Sequence, residues 1–376
     1  MKLKDKIFAD SEINRSRQWE LDLARAVLVF CLALVHVAIE CTSDEGLCYG
    51  IPYILDTVIG GPFGAPMFMF VMGVGMAYTH RNNPQNHFMR GVKLFVLAYI
   101  LNICRFVIPY MIGYTITGDQ EYYLEMLPYK LFGNDIFTFA GLAMMLMALF
   151  IKLKLSHVAM LIIATVMCAF GTLLNGVDAG SPLGNIFLGY LIGTEDAAEM
   201  VHSYFPVLNW ILFPVFGYVF GNVLKRVKNK DLFYLLTSLP AMLIAIVYFT
   251  YGIRNEVGMF GEGQNCYYHM IFSDVLASLC ITVAMVGVYY VILKIFPKKM
   301  FYIAWSMSEN ITAIYFVHWV LVSMVVNVWM YIVRGTTLLT PGQVLALGTA
   351  IEIASIIIAH FYTKWRGRYK VYDKAS

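Results

Sequence analysis

Arg17-Gln-Trp-Glu-Leu-Asp22-Leu-Ala-Arg25-Ala-Val-Leu-Val-Phe-Cys-Leu-Ala-Leu-Val-His36-Val-Ala-Ile-Glu40 is the first long apolar stretch of the chain. It is long enough to cross a bilayer as a helix, which takes about 20 residues. Lys2, Lys4, Lys6, Arg15 and Arg17 precede or open it. A cleavable leader would carry a shorter apolar core, so the stretch reads as a first transmembrane helix behind a polar arm. The whole composition agrees. Of 376 residues, 60% are hydrophobic and 14% charged, against about 25% charged in soluble domains. Mean hydropathy is +0.68. A soluble fold could not hide that much apolar surface behind a polar exterior. The composition therefore excludes an ordinary soluble enzyme, a disordered chain and a coiled coil. The net charge of +3 is too mild for a nucleic-acid binder. The seven cysteines show no CxxC or Cys/His spacing, so no metal is expected.

Apolar stretches of about 20 residues recur between polar loops. They predict ten helices, over 20–40, 52–79, 92–113, 134–152, 156–175, 204–224, 232–252, 271–296, 301–332 and 342–363. Segment 183–193 is too short and Gly-rich to span and reads as an interfacial or re-entrant piece. The basic residues orient the layout. With the N-terminus inside, 22 of the 27 Lys/Arg fall on inner segments, and only Lys130, Arg254 and Arg334 on outer loops. That split is what the positive-inside rule expects of an even number of helices with both termini cytoplasmic. The expected class is an all-α polytopic membrane protein, integral to the cell membrane. It divides into an inner arm (1–19), one membrane domain (20–363) and a basic tail (364–376). No internal repeat or low-complexity segment suggests a second domain.

The outer loops are acidic and aromatic. Residues 114–133 carry Asp119, Glu121, Tyr122, Tyr123, Glu125 and Tyr129, and residues 176–203 carry Asp178, Glu195, Asp196 and Glu199. An aromatic belt with solvated charges accounts for each singly; together they would also suit a polyol or sugar. Cys41 and Cys48 share the first outer loop, where a disulfide or a free pair both fit.

Ionisable groups inside transmembrane helices are costly and mark function more often than surface charges do. The first helix holds the densest set: Glu20, Asp22, Arg25, His36 and Glu40. Arg25 and His36 are eleven residues apart, three turns plus a small rotation, so they share a face about 16 Å apart along the axis. Asp22 lies one turn before Arg25 and can pair with it; Glu40, one turn after His36, can do the same there. For Asp22 and Arg25, a local ion pair with snorkelling explains the charges as well as function does. His36 sits deeper and needs a partner, and the continuous stripe favours function. Arg105, Asp274 and Glu352 must also be paired or in water. In the ninth helix, Glu309 and Asn310 lie toward the inner half, with His318 about 12 Å further along.

The stretch from Asp22 through Arg25 to His36 resembles the opening helix of the transmembrane acyltransferases, which include the heparan-alpha-glucosaminide N-acetyltransferase type and the family 3 acyltransferases. The Arg-x10-His spacing is kept, with Ala26 where the family usually has glycine. Pro62-Phe-Gly-Ala-Pro66-Met-Phe-Met-Phe-Val-Met-Gly73 resembles the second helix of the superfamily. Phe205-Pro-Val-Leu-Asn-Trp-Ile-Leu-Phe-Pro-Val-Phe-Gly217-Tyr-Val-Phe-Gly221 resembles a helix of the glucosaminide branch. Ser308-Glu-Asn310-Ile-Thr-Ala-Ile-Tyr315-Phe-Val-His318 resembles a late helix ending in histidine. The order is right, and the matches run from about residue 15 to 365.

The resemblance implies transfer of an acyl group, acetyl above all, from cytoplasmic acyl-CoA to a hydroxyl or amine of an extracytoplasmic acceptor, a carbohydrate in the first instance. A polyanionic donor needs cations at the inner face; Arg25, with Arg81, Arg90 and Lys93 of the basic loop, would supply them. Lys93 stands where the family 3 pattern has a second arginine. His36 would then act as general base, or become transiently acylated. Glu40 would orient its ring or belong to the outer rim, and Arg105 would line a substrate pocket. For His318, packing and catalysis both remain open, with Glu309 and Asn310 in support. A homodimer is left open. The rival class is a multi-pass transporter of a small polar or anionic solute. Buried charges fit it equally well, but the matched breaks of an inverted repeat are not seen.

Overall fold

The computed structural model describes residues 3–79, 82–125, 127–194, 203–261 and 266–366. Arg81, Glu195, Asp196, Glu199 and the tail beyond residue 366 lie outside them. Among the described residues, ten apolar helical segments follow one another: α1 (Trp19–Cys41), α2 (Gly50–Tyr78), α3 (Pro84–Thr117), α4 (Ile136–Lys152), α5 (His157–Leu173), α6 (Val207–Leu224), α7 (Lys230–Phe260), α8 (Phe272–Ile295), α9 (Ile311–Arg334) and α10 (Pro341–Trp365). Among the described residues, eight are long and apolar enough to cross a membrane. The other two, α4 and α5, have 17 residues each, about 26 Å of helix against a ~30 Å hydrocarbon core. The short 183–193 segment forms the seven-residue helix Pro182–Leu188.

Two spans expected to be continuous are broken. The second begins with the helix Gly50–Tyr53 and the π-helical turn Ile54–Gly60, then stops at Gly61–Gly64 before Ala65–Tyr78 resumes. The run Gly60-Gly61-Pro62-Phe63-Gly64 is rich in the two poorest helix formers. The ninth divides at Asn310 into Tyr302–Glu309 and α9. There the Asn310 amide bonds the Ser306 carbonyl at 3.0 Å, and its oxygen accepts from Thr363 of α10 at 2.8 Å. An Asn side chain that binds backbone competes with the helix ladder.

Close packing is sharpest between α2 and α6. A Cβ built on Gly73 would lie 2.0 Å from the Pro214 carbonyl oxygen, and one on Gly217 would lie 2.0 Å from that of Phe70. The two glycines let the backbones touch reciprocally, the small-residue packing that joins membrane helices where lipid offers no hydrophobic drive. Around this pair, α3 packs on α4 and α7 on α8. The first helix is central, touching α2, α8, α9, α10 and Tyr302–Glu309. The arm before α1 is tied down: Ile7 is buried, Phe8 bridges Val227, and the Asn14 amide reaches the carbonyls of Leu224 and Val227.

Candidate active site

Two polar clusters lie along α1, one at each end of its charged stripe. The first is built on Asp22 and Arg25. Asp22 lies 3.4 Å from the Arg25 guanidinium one turn on, as the spacing predicts, and also pairs with Arg17. Arg17 reaches across to Glu309 at 2.8 Å, and Ser308 donates to Asp22 at 3.4 Å. Arg25 further donates to the Val71 carbonyl of α2 at 3.1 Å. Its side chain keeps 27% of its surface, against 7% for Asp22, so it is bound and partly exposed. Beside this cluster a cavity of about 340 Å³ opens among Arg17, Trp19, Glu20, Lys230, Tyr290 and Lys294. Lys230 is paired with Glu20 at 2.6 Å, and Lys294 with Asp231 at 2.5 Å. Arg90 and Lys93 are exposed on α3, and among the described residues no hydrogen bond or ion pair joins either to Arg25. Asn310 belongs to the helix break described above, not to this cluster.

The second cluster centres on His36. Its Nδ1 lies 2.8 Å from Nε2 of His318 in α9, with the two rings stacked at 5.0 Å between centroids. Trp319 covers the other neighbour position, its ring 4.2 Å from that of His36. Half-buried His36 meets fully buried His318, so the pair sits inside the helix bundle. The expected pairing of His36 with Glu40 does not form: Glu40 is exposed at the end of α1, and the His36 ring turns to α9 instead.

Behind the histidines stands a buried ion pair. Arg105 of α3 meets Asp135 at 2.8 Å, with side-chain exposures of 4% and 7%. The guanidinium also donates twice to Asn102, at 2.9 and 3.1 Å, and lies over Trp319 at 4.9 Å. Asp135 caps α4 through the Ile136 amide and accepts from the Tyr315 hydroxyl at 2.9 Å. The chain of contacts thus runs from Asp135 through Arg105 and Trp319 to His36. Arg105 therefore braces the wall behind the histidines. Asp135, Tyr315 and Trp319 were not nominated by sequence; Asp135 precedes an apolar helix and looks there like an ordinary cap.

Two further intramembrane carboxylates, Glu352 and Asp274, each accept at least one hydrogen bond. Glu352 of α10 accepts from the Ala33 amide of α1 at 3.1 Å, and Asp274 accepts from Tyr248 at 2.9 Å. The tyrosines of the 114–133 segment make structural contacts. Tyr122 stacks on Tyr331 at 3.8 Å, and Tyr123 donates to the Asn327 carbonyl at 2.8 Å. Asp119 accepts from the Tyr122 amide and the Tyr331 hydroxyl, which together hold its carboxyl below the ordinary carboxylate range. All seven cysteines are free thiols, Cys41 buried and Cys48 exposed.

A helical membrane bundle with an imidazole pair in its interior and a bonded, partly exposed arginine on the same helix defines an integral membrane protein with a built polar centre. The family model for the catalytic region of heparan-alpha-glucosaminide N-acetyltransferase matches residues 17–251. The chain belongs to that family, and with it to the membrane acetyltransferases. No curated protein and no solved structure matches it. The matched region takes in Arg25, His36, Arg90, Lys93 and Arg105 and ends before Glu309, Asn310 and His318. Family membership favours the acyltransferase expectation over the transporter.

Proposed function

We propose that the protein transfers an acetyl group from cytoplasmic acetyl-CoA to a hydroxyl or amine of an extracytoplasmic acceptor, a carbohydrate by class, with His36 as the general base. The observation that carries this reading is the half-buried His36, held against His318 and Trp319, on the same helix as Arg25. Eleven residues of helix separate them by about 16 Å, a span suited to a donor whose phosphates lie at one end and whose thioester reaches the other. Arg25 is the donor-side cation. The exposed Arg90 and Lys93 add a field that draws a polyanion to the inner face. The split of basic residues supports the orientation, with both termini inside.

In the reaction, the acceptor oxygen or nitrogen attacks the thioester carbonyl carbon as His36 takes its proton. The C–S bond then breaks, and the departing thiolate receives that proton from the imidazolium. Proton transfer by a placed imidazole contributes about 10²–10⁴-fold. Purified protein incubated with acetyl-CoA and a panel of sugars and amino sugars should release free CoA and acetylated product. His36→Asn, which keeps some hydrogen bonding but cannot exchange the proton, should lower the rate by about 10²–10⁴ with an unchanged melting temperature. A stable His36→Asn protein with near-normal turnover would remove His36 from the chemistry.

A further inference from the structure

His318 has no exposed surface, and both of its ring nitrogens are engaged. Nδ1 lies 3.3 Å from the Ile314 carbonyl oxygen one turn back in α9, and Nε2 lies 2.8 Å from Nδ1 of His36. A carbonyl oxygen only accepts, so the hydrogen of the first contact belongs to His318 Nδ1. A neutral imidazole carries one N–H, which leaves His318 Nε2 bare and able only to accept. The hydrogen shared between the rings therefore sits on His36 Nδ1. That uses the single hydrogen of His36, and its Nε2 is left with a lone pair.

We infer that His318 is a positioning residue that fixes His36 in the tautomer whose free base nitrogen is Nε2. The inference rests on the reading of His36 as general base. The Ile314 carbonyl sets His318, His318 sets His36, and no carboxylate is needed. When His36 Nε2 takes the acceptor's proton, its Nδ1–H donates from a cation, and the bond to His318 becomes charge-assisted and stronger. The arrangement thus favours the imidazolium that the transfer step creates. The tilted Trp319 ring, 32° from the plane of His36, limits the rotation that would exchange the two nitrogens.

Two amides separate this role from simple packing. In His318→Gln the amide oxygen reaches about as far as Nε2 and accepts from His36 Nδ1–H; in His318→Asn it is one methylene short. Loss of the partner that orients a metal-bound histidine lowers activity about 10–100-fold, and a loss of that order is expected for a histidine orienting a general base. His318→Asn should lose that much in kcat with KM for acetyl-CoA near the parent value, and His318→Gln should recover most of it. Equal rates for Gln and Asn variants of parent-like melting temperature would overturn the assignment. Ring nitrogen NMR of the parent protein labelled at histidine, with His36 assigned by its absence in His36→Asn, reads the tautomer directly and needs no folded His318 variant. A protonated Nδ1 and a bare Nε2 are expected, and the opposite tautomer would refute the inference. A parent protein that transfers no acetyl group to any acceptor would refute the function itself, not the tautomer.

Discussion

Replacing Asp135 by Asn should destabilise the protein more than replacing Asp135 and Arg105 together. The two side chains meet at 2.8 Å with 7% and 4% of their surfaces exposed. Asn at this position keeps an oxygen for the Ile136 amide and for the Tyr315 hydroxyl, so the cap and the tyrosine contact survive. What is lost is the negative charge. The guanidinium would then face only the neutral oxygen of Asn102 and the rings of Phe106 and Trp319. Leaving one partner of a buried pair uncompensated costs about 3–5 kcal/mol, whereas replacing both by well-packed apolar groups of similar volume is often neutral; two neutral amides likewise leave no charge uncompensated. The Asn102 contacts and the ring faces place the single change near the lower end. Melting temperatures of detergent-purified parent, Asp135→Asn, Arg105→Gln and the double variant form a cycle that isolates the pair. The double variant should melt well above Asp135→Asn. Turnover per folded molecule should fall in both, because Trp319 loses its charged plate and with it the support of His36. An Asp135→Asn protein that melts with the parent, or a double variant no better than the single, would refute a buried charge pair behind the histidines.

Three further outcomes follow from the same geometry. Gly217→Ala would set a methyl 2.0 Å from the Phe70 carbonyl oxygen; forcing α2 and α6 apart should cost at least about 1–3 kcal/mol, read as a lower melting temperature, with Gly73→Ala behaving alike. Arg25→Ala should weaken acetyl-CoA binding by about 1.5–3 kcal/mol, the worth of a hydrogen bond to a charged group, measured as donor affinity with acceptor affinity little changed. A single cysteine at position 228, in the loop joining α6 to α7, should resist impermeant thiol reagent in intact cells and react once the membrane is opened; labelling from outside would reverse the orientation.

Hydropathy made the helices legible because each span is a run of apolar residues, and even the two 17-residue ones stand out. Local spacing likewise revealed the Asp22–Arg25 contact, since residues three apart on a helix are neighbours. The same rule failed for Glu40, because the His36 ring found a better partner in another helix and Glu40 faces outward. His36 and His318 are 282 residues apart, and Arg105 and Asp135 come from different helices; helical periodicity carries no information about such pairs. Asp135 was hidden by its own second role, since a carboxylate before an apolar helix already has an explanation as a cap. The breaks at Gly61–Gly64 and Asn310 carry local signals, a Gly/Pro run and the polar Ser308-Glu309-Asn310, but the long apolar stretches on either side outweigh them when spans are read by length.

The π-helical turns explain how one helix can serve both lipid and site. Ile103–Val107 of α3 and Met324–Met330 of α9 are both π-helical, and such turns admit an extra residue at the cost of local ladder geometry. Within the first, Ile103 and nearby Ile108 are 43% and 47% exposed while Arg105 is 4% exposed, so the wider turn shows lipid an apolar edge and carries the charge inward. Irregular backbone at membrane depth survives only where its polar groups are met. Here the Ser323 hydroxyl, at the edge of the second π turn, donates to the Arg105 carbonyl, and Asn327 bonds Ser323 in turn at 3.0 Å. Across the α3–α9 contact, one side chain of α9 thus meets a backbone carbonyl freed by the π turn of α3, and the Asn327 carbonyl of the second turn accepts from Tyr123, beyond the end of α3. That contact also fixes α9, the helix that carries Tyr315, His318 and Trp319. The polar network beside the histidines thus accompanies the departure of α3 and α9 from regular helix, and the turn in α3 carries Arg105 inward to meet Asp135, the cap of α4.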